Sequence, residues 1–182
     1  MSFSNFYQKY SEYYDREASQ LHVLGDDFLN FPQLKMTLTR EQSMEINKMR
    51  GPKVVIAGAG MMNGGRILHH AIRYLSDPAS TLLIIGYQAQ GTLGRRLYEG
   101  AKRVQIHGED VRVNCNIKAV GALSAHGDQK KMLQWFGSGI KAPKEIYFVH
   151  GEPHASTELA HRAKDLYGME TFVAEMGETI EI

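Results

Sequence analysis

Lys53-Val-Val-Ile-Ala-Gly-Ala-Gly-Met-Met-Asn-Gly-Gly-Arg66, with Thr81-Leu-Leu-Ile-Ile85 downstream of it, decides the fold class. Residues 53–57 and 81–85 are continuous apolar runs of strand length, and residues 65–75 between them carry a helical pattern. A strand, a helix and a second strand in that order make a crossover unit, and a crossover is what a parallel pair requires. The spacing therefore predicts an α/β fold with a parallel sheet.

Working outward from this unit, a short helix is expected over residues 93–99 and strands over 103–106 and 111–120. A helix over 129–136, a buried strand over 145–149, a helix over 154–167 and two short strands in the tail complete the C-terminal side. On the N-terminal side, Phe6, Tyr10, Tyr13, Tyr14 and Leu21 predict a helix over 3–22, which Gly25-Asp26-Asp27 ends. Thr39, followed by Glu41 and Gln42, reads as the cap of a short helix that stops before Gly51-Pro52. The aromatic series is expected in a core or an interface rather than as a base-stacking platform, since such platforms sit on sheets and in grooves.

The 182 residues are enough to bury a core, and 43% hydrophobic with 23% charged residues is ordinary globular composition. A formal net charge of +1 means that any polyanion surface must be a local patch. Cys115 is the one cysteine, so neither an internal disulfide nor a cysteine-pair zinc site is expected, which fits a reducing, cytoplasmic setting. The first 20 residues carry acids and a lysine without an apolar segment, unlike a secretory leader. The longest apolar stretches fall well short of the roughly 20 residues that span a bilayer.

Chemistry is concentrated in three motifs, each at a strand-to-helix turn. The glycine-rich turn at residues 57–66 suits a phosphate, because unpaired amides and the positive end of a helix meet there. It is read equally as a tight packing turn. No Gly-Lys-Ser/Thr follows, and Asn63 stands where a dinucleotide fingerprint needs its third glycine. In Leu123-Ser-Ala-His-Gly-Asp128, His126 can donate to a phosphate or a leaving oxygen with Asp128 fixing its tautomer, while Asp128 is equally an N-cap. In Phe148-Val-His-Gly-Glu152, His150 leaves a buried strand, and the carboxyl ends of parallel strands are where open α/β folds place ligands. Two histidines alone fall short of the three protein ligands of a catalytic zinc. His69 and His70 are adjacent on the expected helix and cannot both face one metal, so one packed and one solvated imidazole are expected. Between residues 66 and 103, Arg66, Arg73, Arg95, Arg96, Lys102 and Arg103 outnumber Asp77 and Glu99, forming a candidate backbone-binding patch.

Taken in order, Gly60-Met-Met-Asn-Gly-Gly-Arg-Ile-Leu-His-His70, Gly86-Tyr-Gln-Ala-Gln-Gly-Thr-Leu-Gly-Arg-Arg96, Ser124-Ala-His-Gly-Asp128 and Val149-His-Gly-Glu152 resemble the β-CASP family. These are metallo-β-lactamase-type RNA-processing nucleases, and the resemblance runs from about residue 5 to the end. It implies a parallel-sheet β-CASP lobe portion over residues 1–110, followed over 111–182 by the closing αβ segment of a metallo-β-lactamase fold. It further implies that His150 is a zinc ligand, that His126 contacts the scissile phosphate and assists the leaving group, and that Asp128 and Glu152 support them. Ser124, Gly60, Gly64, Gly65, Arg66, Arg95 and Arg96 would then face RNA.

Family members use two zinc ions and an activated water to hydrolyse phosphodiesters, with further His-x-His-x-Asp-His and acidic motifs that are not in these residues. The chain is therefore expected to be a piece of a zinc-dependent endo- or exoribonuclease, inactive in isolation, with RNA as partner and no membrane association. Apolar surface belonging against the missing half is expected to favour a homodimer, which a clean monomer by light scattering at all concentrations would contradict. Ala59 in place of a frequent serine and Gly127 in place of a frequent alanine are small departures from the family pattern. Two rival readings stand beside this one: a non-catalytic RNA-binding or assembly module, and a Rossmann-like nucleotide-binding domain built on residues 58–65. The second lacks an acid at the end of the 81–85 strand for a ribose.

Overall fold

The computed structural model describes residues 3–180 except 26–28, 30, 122–125, 140 and 142. The chain forms two compact units, residues 1–53 and 54–182.

In the first unit, α1 (Phe3–Lys9), a 3-10 turn (Ser11–Tyr13) and α2 (Arg16–Val23) replace the single helix expected over 3–22. The chain breaks there because Asp15 takes an extended conformation and its carboxylate accepts from the Ala18 amide at 2.8 Å, starting a new helix. The rings of Phe6 and Tyr10 stack at 6.4 Å, yet both remain exposed, so the aromatic series is not the core of this unit. α3 (Arg40–Glu45) has the expected reciprocal cap: Gln42 N donates to Thr39 Oγ1, and Thr39 N donates to Gln42 Oε1, both at 3.2 Å.

The second unit contains α4 (Ile67–Tyr74), β1 (Thr81–Ile85), α5 (Leu93–Tyr98), β2 (Arg103–Ile106), β3 (Glu109–Arg112), β4 (Asn116–Val120), α6 (Gln129–Gly137), β5 (Glu145–Phe148), α7 (Pro153–Tyr167) and β6 (Glu170–Val173). β1 pairs in parallel with β4, from Thr81 opposite Asn116 to Ile85 opposite Val120. β5 pairs in parallel with β6, and β2 with β3 is an antiparallel hairpin. Although the paired strands differ from those foreseen, the α/β class and the presence of parallel strand pairs are as expected from the sequence.

Three details are not. Residues 53–57 form no strand, and Val54 and Ile56 are each 89% exposed. An apolar run becomes a strand only where a neighbour satisfies its backbone, and none of the described strands pairs with it. The parallel partner of β1 is instead β4. The run over 111–120 is cut in two because Asn114 N and Cys115 N turn inward to the Leu75 carbonyl, at 2.8 and 2.9 Å, where α4 ends. β3 thus stays with β2, and β4 crosses to β1. The tail holds one strand, β6, among the described residues.

Two apolar clusters hold these elements. Leu75, Leu97, Val104, Ile106 and Val111 pack α4, α5 and the hairpin together, and Met62 anchors the glycine-rich loop in the same cluster. Leu133, Phe148, Leu159, Ala160 and Ala163 join α6, β5 and α7.

Candidate nucleic-acid site

The glycine-rich loop turns through left-handed backbone at Ala59, Met62 and Gly65, with φ of 64°, 57° and 75°. Met62 N closes the turn on the Ala59 carbonyl at 2.7 Å. The loop between β1 and α5 is fastened against it. Gln88 Nε2 donates to the carbonyls of Gly60 (3.2 Å) and Tyr87 (3.0 Å), Gly94 N donates to the Met61 carbonyl (3.0 Å), and Leu93 N donates to Asn63 Oδ1 (3.4 Å). Thr92 caps α5 by accepting from Arg95 N at 3.1 Å. Asn63, which spoils the dinucleotide pattern, thus serves as an acceptor for an amide in the first turn of α5. At the start of α4 the amides of Leu68, His69 and His70 are met by the carbonyls of Gly65 and Arg66. Part of the expected phosphate cradle is therefore satisfied by the chain itself.

His150 follows β5 in a left-handed conformation (φ 66°) and is exposed. A Cβ on Gly151 would lie 1.9 Å from Ser156 Oγ, so the turn into α7 admits only glycine without rearrangement. Glu152 then stands at the N-cap of α7, ahead of Pro153, but its carboxylate does not cap that helix. It accepts from the Tyr87 hydroxyl and from Gln90 N, the latter at 3.2 Å across 62 residues of sequence. Tyr87 leaves the carboxyl end of β1 and Glu152 follows β5, so this contact ties the two strand ends together.

The Tyr87 hydroxyl first, then the Gln90 amide and the Arg95 charge, hold the Glu152 carboxyl below its ordinary value of 4.5, and Glu152 in turn raises the Tyr87 phenol. A carboxyl depressed in the folded state favours the folded contact above its unfolded pKa, and that contribution is lost as pH falls through the folded value. The Gln90 amide resonance is accordingly expected to titrate on acidification below pH 4.5, and to lose that titration in Glu152→Gln. An unchanged titration in the variant would mean that another group reports there.

Asp128 accepts from Lys131 N at 2.8 Å and caps α6, which is the structural alternative anticipated for it. His126 is exposed two residues before that cap, and Ser124 lies outside the described residues. His70 is buried and stacked on Tyr74 at 6.4 Å, and burial first, then His69 and Arg66, lower its pKa. His69 faces outward, its ring 5.1 Å from that of His107. The adjacent pair therefore divides into one packed and one exposed imidazole.

The basic patch is partly neutralised, by Arg95 bonded to Glu99 at 2.6 Å and by Arg103 paired with Asp110. Arg95 also donates to the Gln88 carbonyl at 3.3 Å and so braces the loop. The described residues contain no group of three or more His, Cys, Asp or Glu side chains placed to hold a metal ion. Among the described residues Asp128 caps α6 and Glu152 accepts from the Gln90 amide. Sequence reasoning missed Gln88, Asn63 and Gly94 as fasteners; the only signal for them was a second glycine-bearing strand-to-helix turn at 86–94.

Residues 1–97 match the family model described as the Beta-Casp domain, which is more than half of the chain. The chain belongs to the Beta-Casp family. Residues 110–174 match a second model, the Zn-dependent metallo-hydrolase RNA specificity domain. The glycine-rich loop and Tyr87 fall in the Beta-Casp segment, and His126, His150 and Glu152 in the RNA specificity segment.

Among curated relatives, the Beta-Casp chain is 32% identical over 178 residues to ribonuclease TTHA0252 of Thermus thermophilus, covering 98% of this chain and 40% of that protein. It is 26% identical over 187 residues to the transcription termination factor FttA of Methanosarcina mazei (91% and 29% covered) and 28% identical over 169 residues to that of Thermococcus kodakarensis (89% and 26%). The chain thus spans two fifths or less of the length of these relatives. No described helix is long and apolar enough to cross a membrane.

Proposed function

We propose that this chain carries the RNA-contacting part of a zinc-dependent phosphodiester hydrolase, residues 1–110 belonging to the β-CASP lobe and 111–182 to the closing segment of the lactamase-type domain. In this reading His150 is a zinc ligand, and His126 contacts the scissile phosphate and gives a proton to the leaving oxygen. Glu152 positions the turn that carries His150, and Asp128 holds the start of α6 beside His126. Gly60, Gly64, Gly65, Arg66, Arg96 and Ser124 face the RNA, and Arg95 braces the loop. Zinc, when bound, supplies an activated water.

The observation that carries the reading is the bond from Gln90 and Tyr87 to Glu152, because it joins the two family-matched segments at the strand ends next to His150. Two imidazoles supply fewer donors than a catalytic zinc takes, so the chain on its own is expected to bind single-stranded RNA without cutting it. The test is RNA anisotropy across a salt series, with zinc content and RNA hydrolysis measured on the same preparation and on His150→Ala. Expected are salt-weakened binding and no hydrolysis by either protein. Hydrolysis that depends on His150 would show a complete site within the chain. Absence of RNA binding at low salt would overturn the RNA reading.

A further inference from the structure

A cavity of about 390 Å³ opens beside the β2–β3 hairpin, and none of its nine lining residues lies between 120 and 152. Its polar wall is Arg96, His107, Asn63 and Gln105, its apolar wall includes Leu68 and Leu93, and no carboxylate lines it. Arg95 is occupied by Glu99 on one side of α5, whereas the adjacent Arg96 has no carboxylate partner among the described residues. His107 occupies the first position of the two-residue hairpin turn, at φ 51°, with Gly108 at 81°. That turn favours asparagine, aspartate or glycine, so a histidine there holds an imidazole at the rim at some conformational cost. His69 of α4 places a second imidazole 5.1 Å away, inclined by 30°.

Each of these groups matches part of a nucleotide. A guanidinium presents a planar fork to phosphate oxygens. Imidazole planes stack on unpaired bases, and primary amides offer a donor and an acceptor to a base edge. The volume falls within the roughly 300–1,000 Å³ of small-ligand pockets. A wall without carboxylates disfavours metal ions and cationic ligands.

We infer that this cavity is a nucleotide-binding subsite for single-stranded RNA, holding a phosphate at Arg96 and a base against His107 with Asn63 and Gln105 at its edge. It rests on the RNA-binding reading above and adds a contact remote in sequence from His126 and His150.

The test uses the whole chain and two variants, Arg96→Ala and His107→Asn. The second keeps a residue that tolerates the left-handed turn, and circular dichroism confirms the fold of both. Adenosine 5′-monophosphate, uridine 5′-monophosphate and inorganic phosphate are titrated while the imidazole resonances of His69 and His107 are followed. Single-stranded RNA affinity is measured by anisotropy across a salt series. The nucleotides are expected to shift both imidazoles more than phosphate does. Arg96→Ala is expected to bind RNA roughly tenfold more weakly, the scale of one charge-assisted hydrogen bond, and to lower the salt slope by about 0.7. His107→Asn is expected to weaken binding roughly tenfold, the scale of one lost base stack, with the slope unchanged.

Wild-type affinity and slope in both variants would overturn the subsite and leave the RNA reading intact. Equal shifts from phosphate and nucleotides would reduce the cavity to an anion site and overturn base recognition. No RNA binding by the wild-type chain would overturn both readings together.

Discussion

Leu97→Ala is expected to lower the unfolding free energy of the second unit by about 2–5 kcal/mol. Leu97 is completely buried in the cluster with Leu75, Val104, Ile106 and Val111, where α5 meets α4 and the hairpin. Removing its branched end forfeits the transfer free energy of the lost methyl groups and leaves a cavity, and walls contributed by a helix and a hairpin cannot both collapse onto it. Against a total stability of about 5–15 kcal/mol for a domain, this is a large share. Met62 packs in the same cluster, so the glycine-rich loop should loosen along with the helices.

The comparison that gives the number meaning is Val54→Ala, at a position 89% exposed, which should change stability by no more than about 0.5 kcal/mol. Urea titrations followed by circular dichroism measure both. A loss at Leu97 no larger than that at Val54 would show that the cluster does not carry the fold.

The contrast between these two apolar residues also marks how far the sequence could be read. Although the expectation of one helix over 3–22 passes over the Asp15 cap on the Ala18 amide, three residues apart, several signals whose determining partner lies within one helical turn are read correctly. The Thr39–Gln42 box and the Asp128 cap are of this kind, because the side chain and the amide it satisfies are three residues apart. The division of His69 and His70 into an exposed and a buried residue followed from helix geometry alone.

Where the partner is distant, composition could not supply it. Residues 53–57 and 81–85 look alike as strings, and only β1 has a neighbour, β4, to complete its backbone hydrogen bonding. The break at residues 113–115 depends on the carbonyl at the end of α4, which no reading of 111–120 can foresee. The same holds at the site. His126 and His150 were legible as histidines at strand-to-helix turns, whereas the hold of Glu152 on Tyr87 and Gln90 is a tertiary contact across the two matched segments. Ser124, predicted with them, lies outside the described residues.

Gly94→Ala is expected to destabilise the chain by about 1–3 kcal/mol, the usual range for overpacking, although it replaces glycine by alanine in a helix. Helix propensity alone argues for a gain of up to about 1 kcal/mol. Packing opposes it, because a Cβ at this position would lie 1.8 Å from Gln88 Oε1, 2.9 Å from Gln88 Cδ and 3.1 Å from the Met61 carbonyl. An amide at the end of a flexible chain can ordinarily swing aside, but Gln88 is only 5% exposed and its Nε2 is bonded to the Gly60 and Tyr87 carbonyls. Moving it would break both bonds and leave their acceptors short of a partner in a confined space. The two loops that meet at Gln88 would then separate, and under the proposed RNA-binding function single-stranded RNA affinity should fall together with stability.

The double variant separates the causes. Gln88→Ala removes the obstacle, so Gly94→Ala introduced into that background should cost little or become stabilising as its helix propensity takes effect. The coupling between the two substitutions is therefore expected to be about as large as the single-variant loss. Additive effects would mean that Gly94 is required by the Met61 carbonyl or by the backbone itself, and that Gln88 does not fasten the loops.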